Sequence, residues 1–559
     1  MNKISYNPNL TFGSVPTTCF RNERPGFFHS GTRPKDIDNS IEYFIRNMAQ
    51  TVRNDRFTFI YNGKPVLAHP KWIRDHIHEL KAFKHWEKDL KRYFEVMAEK
   101  QREDGQFYEM VQVPENYHWK VVNDTNRIKD EENNLIFVRV ELEADIEYLM
   151  VEGVYAAYQA TGDIDFVKKM LPSLEKGINY MTSSKVRFDK EHGLCIRPFT
   201  IDTWDFVYDQ SCENPKDDRN IYPGKTPMSI MHGDNSGVYE AMMLLSKMND
   251  EIGNKEEAKE WEKRAEELKV NLNKYCFNGN FYTHQVHINH NGSPTDGEET
   301  DRISLSNAYD INRGVTDFDM ANKIIDSFIE KGKESGYFAE WFSIYPPYKK
   351  FRGNTQSEGV YINGCVASLT AGELAKAALN NGREKYGWDI LSRLMKLFEK
   401  DGELFFLYNA KTGENAGGGP SGWGAAAIIS AFEEGIAGIK DTSAKFKTMG
   451  FSPRWTVTDQ KFAKYITGYE VSDTFVETAF ELKDNSLLYS IGTPSEVIDC
   501  HILLPDNKTP KKVICNDKEI YFKTSKLNES IYADFKLDKS IAENFKNSTQ
   551  YKFDIEIEF

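Results

Sequence analysis

Residues 71–102 read KWIRDHIHELKAFKHWEKDLKRYFEVMAEKQR, and their pattern indicates the kind of fold this chain adopts. Apolar side chains recur every three or four residues and form one stripe: Leu80, Phe83, Trp86, Leu90, Tyr93, Phe94 and Met97. This spacing predicts two amphipathic helices joined as a hairpin. One such pair buries only part of its apolar surface, so it needs further pairs around it.

The same helical pattern continues from about residue 39 to about residue 440. About eleven or twelve helices are predicted in neighbouring pairs, at 41–48, 71–102 (two helices), 141–160, 164–181, 237–248, 255–275, 316–331, 364–379, 386–399 and 422–438. Six antiparallel pairs closed into a ring would cover every stripe. An open solenoid of hairpins is the alternative, but it normally repeats every 34–45 residues or so, and no such repeat is visible. We therefore predict a mainly α fold with a helical domain at 39–448.

The two ends of the chain differ from this helical region. After residue 449 apolar and polar residues alternate, as in TFVETAFEL at 474–482 and VIDCHILL at 497–504. Alternation between turn residues predicts a small C-terminal β-sandwich over 449–559. Residues 1–38 are polar, contain many Pro and Gly residues, and predict an extended arm.

Composition excludes several classes of function. The 559 residues are 40% hydrophobic and 28% charged, with a net charge of −14, which argues against a nucleic-acid partner. No apolar run is long enough to span a membrane. The N-terminus lacks an apolar signal core, so we expect a cytoplasmic protein, or an exported one whose leader has been removed. The seven cysteines are scattered and odd in number, which predicts neither a disulfide framework nor a zinc site. We expect no metal and no other cofactor.

The segment TIDTWDFVYD at 200–209 is the first candidate for a functional site. Its carboxylates alternate with Trp204, Phe206 and Tyr208, and aromatic rings with carboxylates are a combination suited to sugars. Asp205 lies between two aromatic residues and near Asp202, and both surroundings would raise its pKa and suit a general acid. The alternatives are a surface loop whose aromatic residues cover the core, or an Asp205 that caps a loop or binds a hydroxyl group.

Three motifs in order support a resemblance to a known superfamily. They are Trp72-Ile73-Arg74-Asp75 followed by QREDG at 101–105, then Asp202-Thr203-Trp204-Asp205, and finally YNAKTG at 408–413 followed by GWGAA at 422–426. Together they resemble the six-hairpin (α/α)6-barrel glycosidases, such as glucoamylases, trehalases and processing α-glucosidases. The resemblance implies an (α/α)6 barrel, a sugar held by Arg74 and Asp75, and Asp205 as the general acid.

One position departs from this superfamily. The resemblance places a catalytic Glu two residues before Tyr408, where this chain has Phe406, which cannot accept a proton. We consider three other carboxylates as the base: Glu358, Glu403 and Glu340. Glu358 ranks first because it lies in a glycine-containing loop before a predicted helix.

Several other residues are candidates with simpler structural alternatives. Sugar-binding candidates are Trp72, Asp202, Trp204, Tyr208, Trp341, Tyr361 and Trp423, although any one tryptophan is more often part of a core. Arg74 and Asp75 could instead form an ion pair at a helix start. The segment His232-Gly233-Asp234-Asn235 could line a pocket, or Asp234 and Asn235 could cap a helix. Arg139, Glu141, Glu143 and Asp145 alternate ahead of a helix, which favours a solvated face; the alternative is that two of these acids point inward. His284, His287 and His290 do not have the spacing of a metal site.

The combined prediction is an inverting, exo-acting glycoside hydrolase that acts on an oligosaccharide or disaccharide. The first expectation for its activity is that of an α-glucosidase. Its partner is a carbohydrate substrate, with no nucleic acid and no membrane. A glycoside phosphorylase is the first alternative, since phosphate in place of water would explain a missing base. A non-catalytic carbohydrate-binding protein is the second.

Overall fold

The computed structural model describes residues 40–114, 126–201, 220–288, 299–349, 358–359, 361–545 and 550–559. The predicted arm at 1–38 lies outside these residues. Within them the chain forms twelve α-helices: α1 Ser40–Asn54, α2 Ile73–Phe83, α3 Arg92–Glu99, α4 Ile146–Thr161, α5 Ile164–Ser183, α6 His232–Glu251, α7 Lys255–Cys276, α8 Ser306–Arg313, α9 Phe318–Ser335, α10 Ser368–Asn380, α11 Glu384–Asp401 and α12 Gly422–Ser430. A π turn, Ala431–Ile436, continues α12, and short 3-10 turns lie at Glu299–Asp301, Trp455–Val457 and Glu470–Ser472.

The even-numbered helices pack against one another in a closed cyclic order. Helix α2 packs on α4, α4 on α6, α6 on α8, α8 on α10, α10 on α12, and α12 returns to α2. Glycine permits the closest of these contacts: a Cβ on Gly372 of α10 would lie 2.7 Å from the Cβ of Ala427 in α12. The odd-numbered helices pack on the even-numbered ones, as α7 does on α6 and α11 on α10. This order gives six inner helices and six outer ones.

The two ends of the helical region are connected differently. Links from an inner to an outer helix are short turns, and α4 ends at Gly162, whose φ of 68° is left-handed. Links from an outer to an inner helix are long and contain short strands: β1 Phe57–Tyr61, β2 Lys64–Ala68, β3 Met110–Gln112, β4 Arg127–Asp130, β5 Leu135–Val138, β6 Phe188–Asp189, β7 Leu194–Cys195, β8 Arg197–Pro198, β9 Met228–Ile230, β10 Val286–His287, β11 Ile303–Ser304, β12 Ile344–Tyr345, β13 Val366–Ala367, β14 Phe405–Tyr408 and β15 Asn415–Pro420. The N-terminal ends of the inner helices therefore carry most of the irregular structure.

The C-terminal part of the chain is built from two sheets. Its strands are β16 Ile439–Asp441, β17 Thr448–Phe451, β18 Phe462–Tyr469, β19 Thr474–Leu482, β20 Ser486–Thr493, β21 Val497–Leu503, β22 Lys512–Cys515, β23 Lys518–Glu519, β24 Lys523–Leu527, β25 Ser530–Asp538, β26 Glu543–Phe545 and β27 Gln550–Glu558. One sheet has the order β16-β17-β21-β25-β24 and the other β18-β19-β20-β27-β22-β23, with β26 beside β27. The first strand starts at Ile439, ten residues before the predicted domain start at 449.

The sheets are attached to the helices by buried polar contacts. Glu384, at the start of α11, accepts hydrogen bonds from Ser530 and Tyr532 of β25. His85, just after α2, contacts the Gly468 carbonyl of β18 through Nδ1 at 2.8 Å. Buried apolar residues of both regions belong to one continuous hydrophobic core. The helices and sheets therefore support one another.

Two further properties concern the described part of the chain. None of its helices combines the length and the apolar composition that crossing a lipid bilayer requires. Its cysteines, Cys195, Cys276, Cys365, Cys500 and Cys515, are all buried free thiols.

Candidate active site

The N-terminal ends of the inner helices meet at one end of the ring, which we call the mouth. Contacts between early residues of different helices define it: Arg74 in the first turn of α2 contacts Asp145, the residue before α4. Ser368, the first residue of α10, lies against Gly424 in the first turn of α12. The long links from the outer helices also lead to this end.

Arg74 forms the most strongly charged contact of the mouth. Its guanidinium group donates to both carboxylate oxygens of Asp145, one at 2.8 Å, and to both of Glu143, one at 3.2 Å. All three side chains are buried. Burial raises the pKa of Asp145, but the Arg74 charge and hydrogen bonds outweigh it and lower the pKa overall. The mouth thus contains two carboxylates hydrogen-bonded to one cation.

The surroundings of this pair contradict the solvated face predicted for residues 139–145. Arg139, Glu143 and Asp145 are buried, and Arg139 pairs with Glu147 at 3.2 Å. Alternation of charges at the surface and alternation within a buried ion-pair network look alike in sequence. That prediction is therefore wrong for these three residues, because Arg74 pairs with Glu143 and Asp145 and Glu147 pairs with Arg139.

Asp75 and Trp72 have different surroundings from Arg74. Asp75 is partly exposed, and burial followed by repulsion from Asp55 and Asp145 raises its pKa to about 6, against the opposing effect of Arg74. Asp55 follows the outer helix α1, so Asp75 lies toward the outer layer. Trp72 packs against a small cluster that includes Met110. The predicted sugar-binding roles of both residues remain predictions.

The residues at the start of α6 hold the mouth together. Asp234 contacts Arg197 of β8 at 3.5 Å, and both are buried. His232 forms a buried contact with Asp310 of α8 through Nδ1 and lies 2.9 Å from the Ser304 hydroxyl through Nε2. The Asn235 amide binds the backbone of Cys195 at 2.8 and 3.0 Å. None of these side chains caps α6, whose N-cap is Met231.

An aromatic group lies one helical turn inside the mouth, and we call it the aromatic floor: His78, Tyr309 and Trp423. The rings of His78 and Trp423 are stacked, with centroids 4.2 Å apart and an interplanar angle of 8°. Tyr309 meets His78 edge to face at 5.5 Å and accepts a 2.9 Å hydrogen bond from the Trp423 indole. Trp423 is 4% exposed, and His78 covers one of its faces.

Charged residues lie deeper between the inner helices. Lys81 forms an ion pair with Glu373 and its ammonium group lies 5.1 Å from the Tyr309 ring centre. Arg313 contacts Glu152 at 3.2 Å and Glu240 at 3.3 Å. Each of these cations has at least one carboxylate partner, so the charge below the aromatic floor is balanced.

A second polar cluster lies in the links before α8 and α10. Tyr348 donates to Glu299 at 2.9 Å and its hydroxyl lies 2.7 Å from His284 Nδ1. His287 lies 3.6 Å from Glu299, and Arg302 covers the Tyr348 ring at 4.1 Å. Burial raises the pKa of Glu299, but its hydrogen bonds to both histidines lower it well below the usual range. His290 lies outside the described residues, within which no group of three side chains is arranged to hold a metal ion.

The three candidate bases lie in different surroundings. Glu340 is 9% exposed and accepts two hydrogen bonds from Arg393 of the outer helix α11, at 2.6 and 2.9 Å, and one from Tyr386 at 2.6 Å. Glu358 is exposed in the link before α10, and Glu403 is partly exposed just before β14. Only Glu340 is thus engaged by a cation.

The aromatic candidates of the same links also differ. Trp341 is 1% exposed in the main core, and the Arg393 guanidinium lies 4.8 Å from its ring centre. Tyr361 and Phe406 are partly buried and pack on a cluster that contains Trp423. The Tyr361 ring lies over Gly417, where a Cβ would meet it at 2.8 Å. Phe406 occupies the position at which the resemblance expects a base.

Four candidates, Asp202, Trp204, Asp205 and Tyr208, lie outside the described residues. The residues on either side of them are placed at the mouth. Ile201 packs in the cluster that contains Trp423. On the other side, the Ile221 backbone N–H donates to Glu141 at 2.7 Å, and Asn220 accepts from Asn126 at 3.1 Å.

Sequence reasoning missed several residues that the fold brings to the mouth. Tyr309 and Arg313 belong to α8, a helix of only eight residues with three apolar ones, which was not predicted. His78 follows Arg74 by four residues, a spacing that places both on one helical face and could have identified it. Glu299 and Arg197 gave no such signal, because their partners are far away in sequence.

Comparison with known proteins gave matches only at the level of structure. No protein-family model and no curated protein sequence matches this chain. An α-L-rhamnosidase from Dictyoglumus thermophilum is similar in structure, with a TM-score of 0.53 and 11% identity over 87% of this chain and 46% of that one. The Streptomyces avermitilis α-L-rhamnosidase complexed with L-rhamnose is also similar, with a TM-score of 0.52 and 12% identity over 91% of this chain and 41% of that one.

A GH78 family rhamnosidase of Bacillus sp. GL1 is a third similar structure, with a TM-score of 0.50 and 13% identity over 74% of this chain and 36% of that one. The chain therefore spans less than half the length of each of these three enzymes. At these identities the likeness shows the fold alone, and the fold that it shows is one that glycosidases use.

Proposed function

We propose that this protein is a glycoside hydrolase built on an (α/α)6 barrel with a C-terminal β-sandwich, and that its active site lies at the mouth. One observation carries the proposal: the Arg74–Glu143–Asp145 group and the aromatic floor converge at the same end of six cyclically packed helices. Charged hydrogen-bonding groups beside aromatic rings are what a sugar site requires. The similar structures, which are rhamnosidases, agree with this reaction class.

The proposed reaction is hydrolysis with inversion. Asp205 donates its proton to the glycosidic oxygen as the bond from that oxygen to the anomeric carbon breaks. A carboxylate on the opposite side removes a proton from the water that forms the new bond to the same carbon. Glu358 and Glu403 are our candidates for this base, since both lie in links that lead to the mouth. Glu340 fits a stabilising role better, because Arg393 already binds both of its oxygens.

The presence of Phe406 favours a second candidate function, that of a glycoside phosphorylase. Its side chain packs near Trp423, with ring centroids 6.1 Å apart, at the position where the resemblance expects the base. Inorganic phosphate is itself a nucleophile and needs no base to activate it. The product would then be a sugar 1-phosphate in place of a free sugar.

The deciding experiment is a screen of aryl glycosides and disaccharides with and without inorganic phosphate. It starts with an α-L-rhamnoside, because of the similar structures, and continues with α- and β-glucosides and mannosides. Release of free sugar of inverted configuration, read by NMR, supports the hydrolase. Phosphate-dependent release of sugar 1-phosphate supports the phosphorylase, and sugar binding without turnover on any substrate supports a binding protein.

The acid assignment has its own test. We expect Asp205→Asn to lower kcat by about three or more orders of magnitude, since the amide cannot protonate a leaving group. Its melting temperature should stay close to that of the wild type. Glu399→Asn is a suitable control, because Glu399 is an exposed residue of the outer helix α11. Normal turnover by Asp205→Asn would refute the assignment.

A further inference from the structure

His78 is a buried polar residue near the mouth to which the described residues offer no hydrogen bond, a property that it shares with the carboxylate oxygens of Glu79. It is 5% exposed, and Nδ1 is sealed from solvent without a partner in the described part of the chain. The neighbouring charged residues are paired, Arg74 with two carboxylates and Lys81 with Glu373. Nε2 also has no hydrogen bond in the described part of the chain but is not among the sealed atoms, so it is the nitrogen that a ligand can reach.

The position of His78 suits contact with a bound sugar. It lies one turn further into α2 than Arg74, about 6 Å along the helix axis. Its ring is held flat against Trp423 at 4.2 Å and against the edge of Tyr309 at 5.5 Å. Two rings therefore hold the imidazole plane in a defined orientation before any ligand binds, which is the preorganisation that selective binding needs.

The protonation state of His78 follows from its neighbours. Burial lowers its pKa well below the usual value, and the charges of Lys81, Arg313 and Arg74 lower it further. The ring is thus neutral, with one nitrogen that donates and one that accepts a hydrogen bond. Each of the three cations is paired with a carboxylate, Arg313 with Glu240, so the region lacks uncompensated positive charge for an anionic sugar.

We propose that His78 determines specificity by accepting a hydrogen bond, at Nε2, from a hydroxyl group of an uncharged sugar bound at the aromatic floor. This inference rests on the proposed function for the location of the sugar. A hydroxyl group is a donor that a neutral imidazole can bind, and a site built for such a bond rejects a ligand that lacks the donor. The protein then selects its sugar through one residue that takes no part in the proton transfers.

The test combines a variant with altered substrates. His78→Phe keeps a flat ring against Trp423 and removes both nitrogens, and His78→Gln restores one hydrogen-bonding side chain without the ring. For the glycoside that the wild type cleaves, we expect His78→Phe to lower kcat/KM by about 10- to 100-fold, with partial recovery in His78→Gln. Asp205-dependent chemistry should remain measurable in both variants.

Deoxy substrates provide the readout that a merely structural role would not change. One monodeoxy derivative of that glycoside should be a poor substrate for the wild type, by a factor similar to the His78→Phe effect. His78→Phe should discriminate against this derivative about tenfold less, because the partner of the missing hydroxyl group is gone. Equal discrimination by wild type and variant against every monodeoxy derivative would overturn the proposal, whether or not the variant is less stable.

The outcome also separates this inference from the proposed function. If the wild type cleaves no glycoside, the proposed hydrolase fails, and the role of His78 is tested by titrating glucose, mannose and L-rhamnose in calorimetry. Binding by the wild type that weakens at least tenfold in His78→Phe supports the inference. Equal binding by both proteins, or no binding by the wild type, overturns it. An anionic sugar that binds more tightly than its neutral counterpart would overturn it as well.

Discussion

Gly422 begins α12 with the carboxyl group of Glu79 directly against its Cα. A Cβ at this position would lie 2.2 Å from Glu79 Oε1, well inside van der Waals contact. Glu79 belongs to the neighbouring inner helix α2 and is 1% exposed, so it has little room to move. The glycine of the GWGAA motif is therefore required by packing between two inner helices.

We predict that Gly422→Ala destabilises the protein by about 1–3 kcal/mol, as overpacking of a filled core does. Gly419→Ala is the matched control, because no atom lies within 4 Å of a Cβ there. Thermal unfolding followed by circular dichroism measures both. If Gly422→Ala melts like Gly419→Ala, the close contact with Glu79 is not a constraint on the fold.

Glu340 provides a residue-level test that separates stability from catalysis. Burial raises its pKa, but the Arg393 hydrogen bonds and charge lower it overall, so the ion pair stabilises the fold above the pKa of an unfolded Glu. We predict that Glu340→Gln costs about 1–3 kcal/mol and leaves kcat within about twofold. Loss of kcat without loss of stability would instead identify Glu340 as the base.

A matched control for this variant is available on the same partner. Asp389 also contacts Arg393, at 2.9 Å, but its side chain is 57% exposed. Asp389→Asn should therefore cost less than about 1 kcal/mol, as exposed ion pairs do. A similar cost for both variants would mean that burial is not what makes the Glu340 contact strong.

At the scale of single residues, sequence reasoning could select residue types but not their partners. Arg74 and Trp423 were chosen from motifs and both lie at the mouth, while their roles toward a sugar remain predictions. Glu340 was chosen as a possible base and Trp341 as a possible sugar-binding ring. In the structure both contact Arg393 of the outer helix α11. Which cation reaches a given carboxylate depends on contacts between helices, which no local pattern contains.

The inner helices α4, α6 and α8 meet at Glu152, a carboxyl group with a raised pKa. Burial, and then repulsion from Glu240, raises the pKa of Glu152 from 4.5 to about 8. Between these values the folded protein keeps a proton that the unfolded chain has already lost. Stability therefore falls as the pH rises from 4.5 to about 8 and is unaffected by this group above that range.

We predict that Glu152→Gln, which cannot ionise, raises the melting temperature relative to the wild type by several degrees at pH 8.5 and by much less at pH 5. Glu399→Gln, at an exposed position of α11, should show no such difference between the two pH values. Thermal unfolding of the three proteins at both pH values measures the effect. An equal shift at pH 5 and pH 8.5 would contradict the titration of Glu152.

Helices with a long apolar stripe could be predicted, and one short helix could not. Helices α2 and α3 follow the stripe that runs from Leu80 to Met97. Helix α8 reads SNAYDINR, and some of its polar side chains have partners inside the ring, for instance Asn307, which donates to the Tyr282 carbonyl at 3.0 Å. Eight residues with three apolar ones span little more than two turns, which is too short for apolar spacing to identify a helix.

For the whole molecule, the continuous core predicts how the protein unfolds. Buried side chains of the helices and of both sheets belong to one cluster, and Tyr532 of β25 donates a buried hydrogen bond to Glu384 of α11. We predict a single cooperative transition in calorimetry. Tyr532→Phe should lower its midpoint by a few degrees without splitting it, and two separate transitions would contradict a shared core.

The common direction of the six inner helices has an electrical consequence. Each helix carries roughly half a positive elementary charge at its N-terminal end, and all six of these ends surround the mouth. Asp145 and Asp234 therefore experience a favourable potential from the backbone itself, in addition to Arg74 and Arg197. The scaffold thereby lowers the cost of placing negative charge there, in a chain whose net charge is −14.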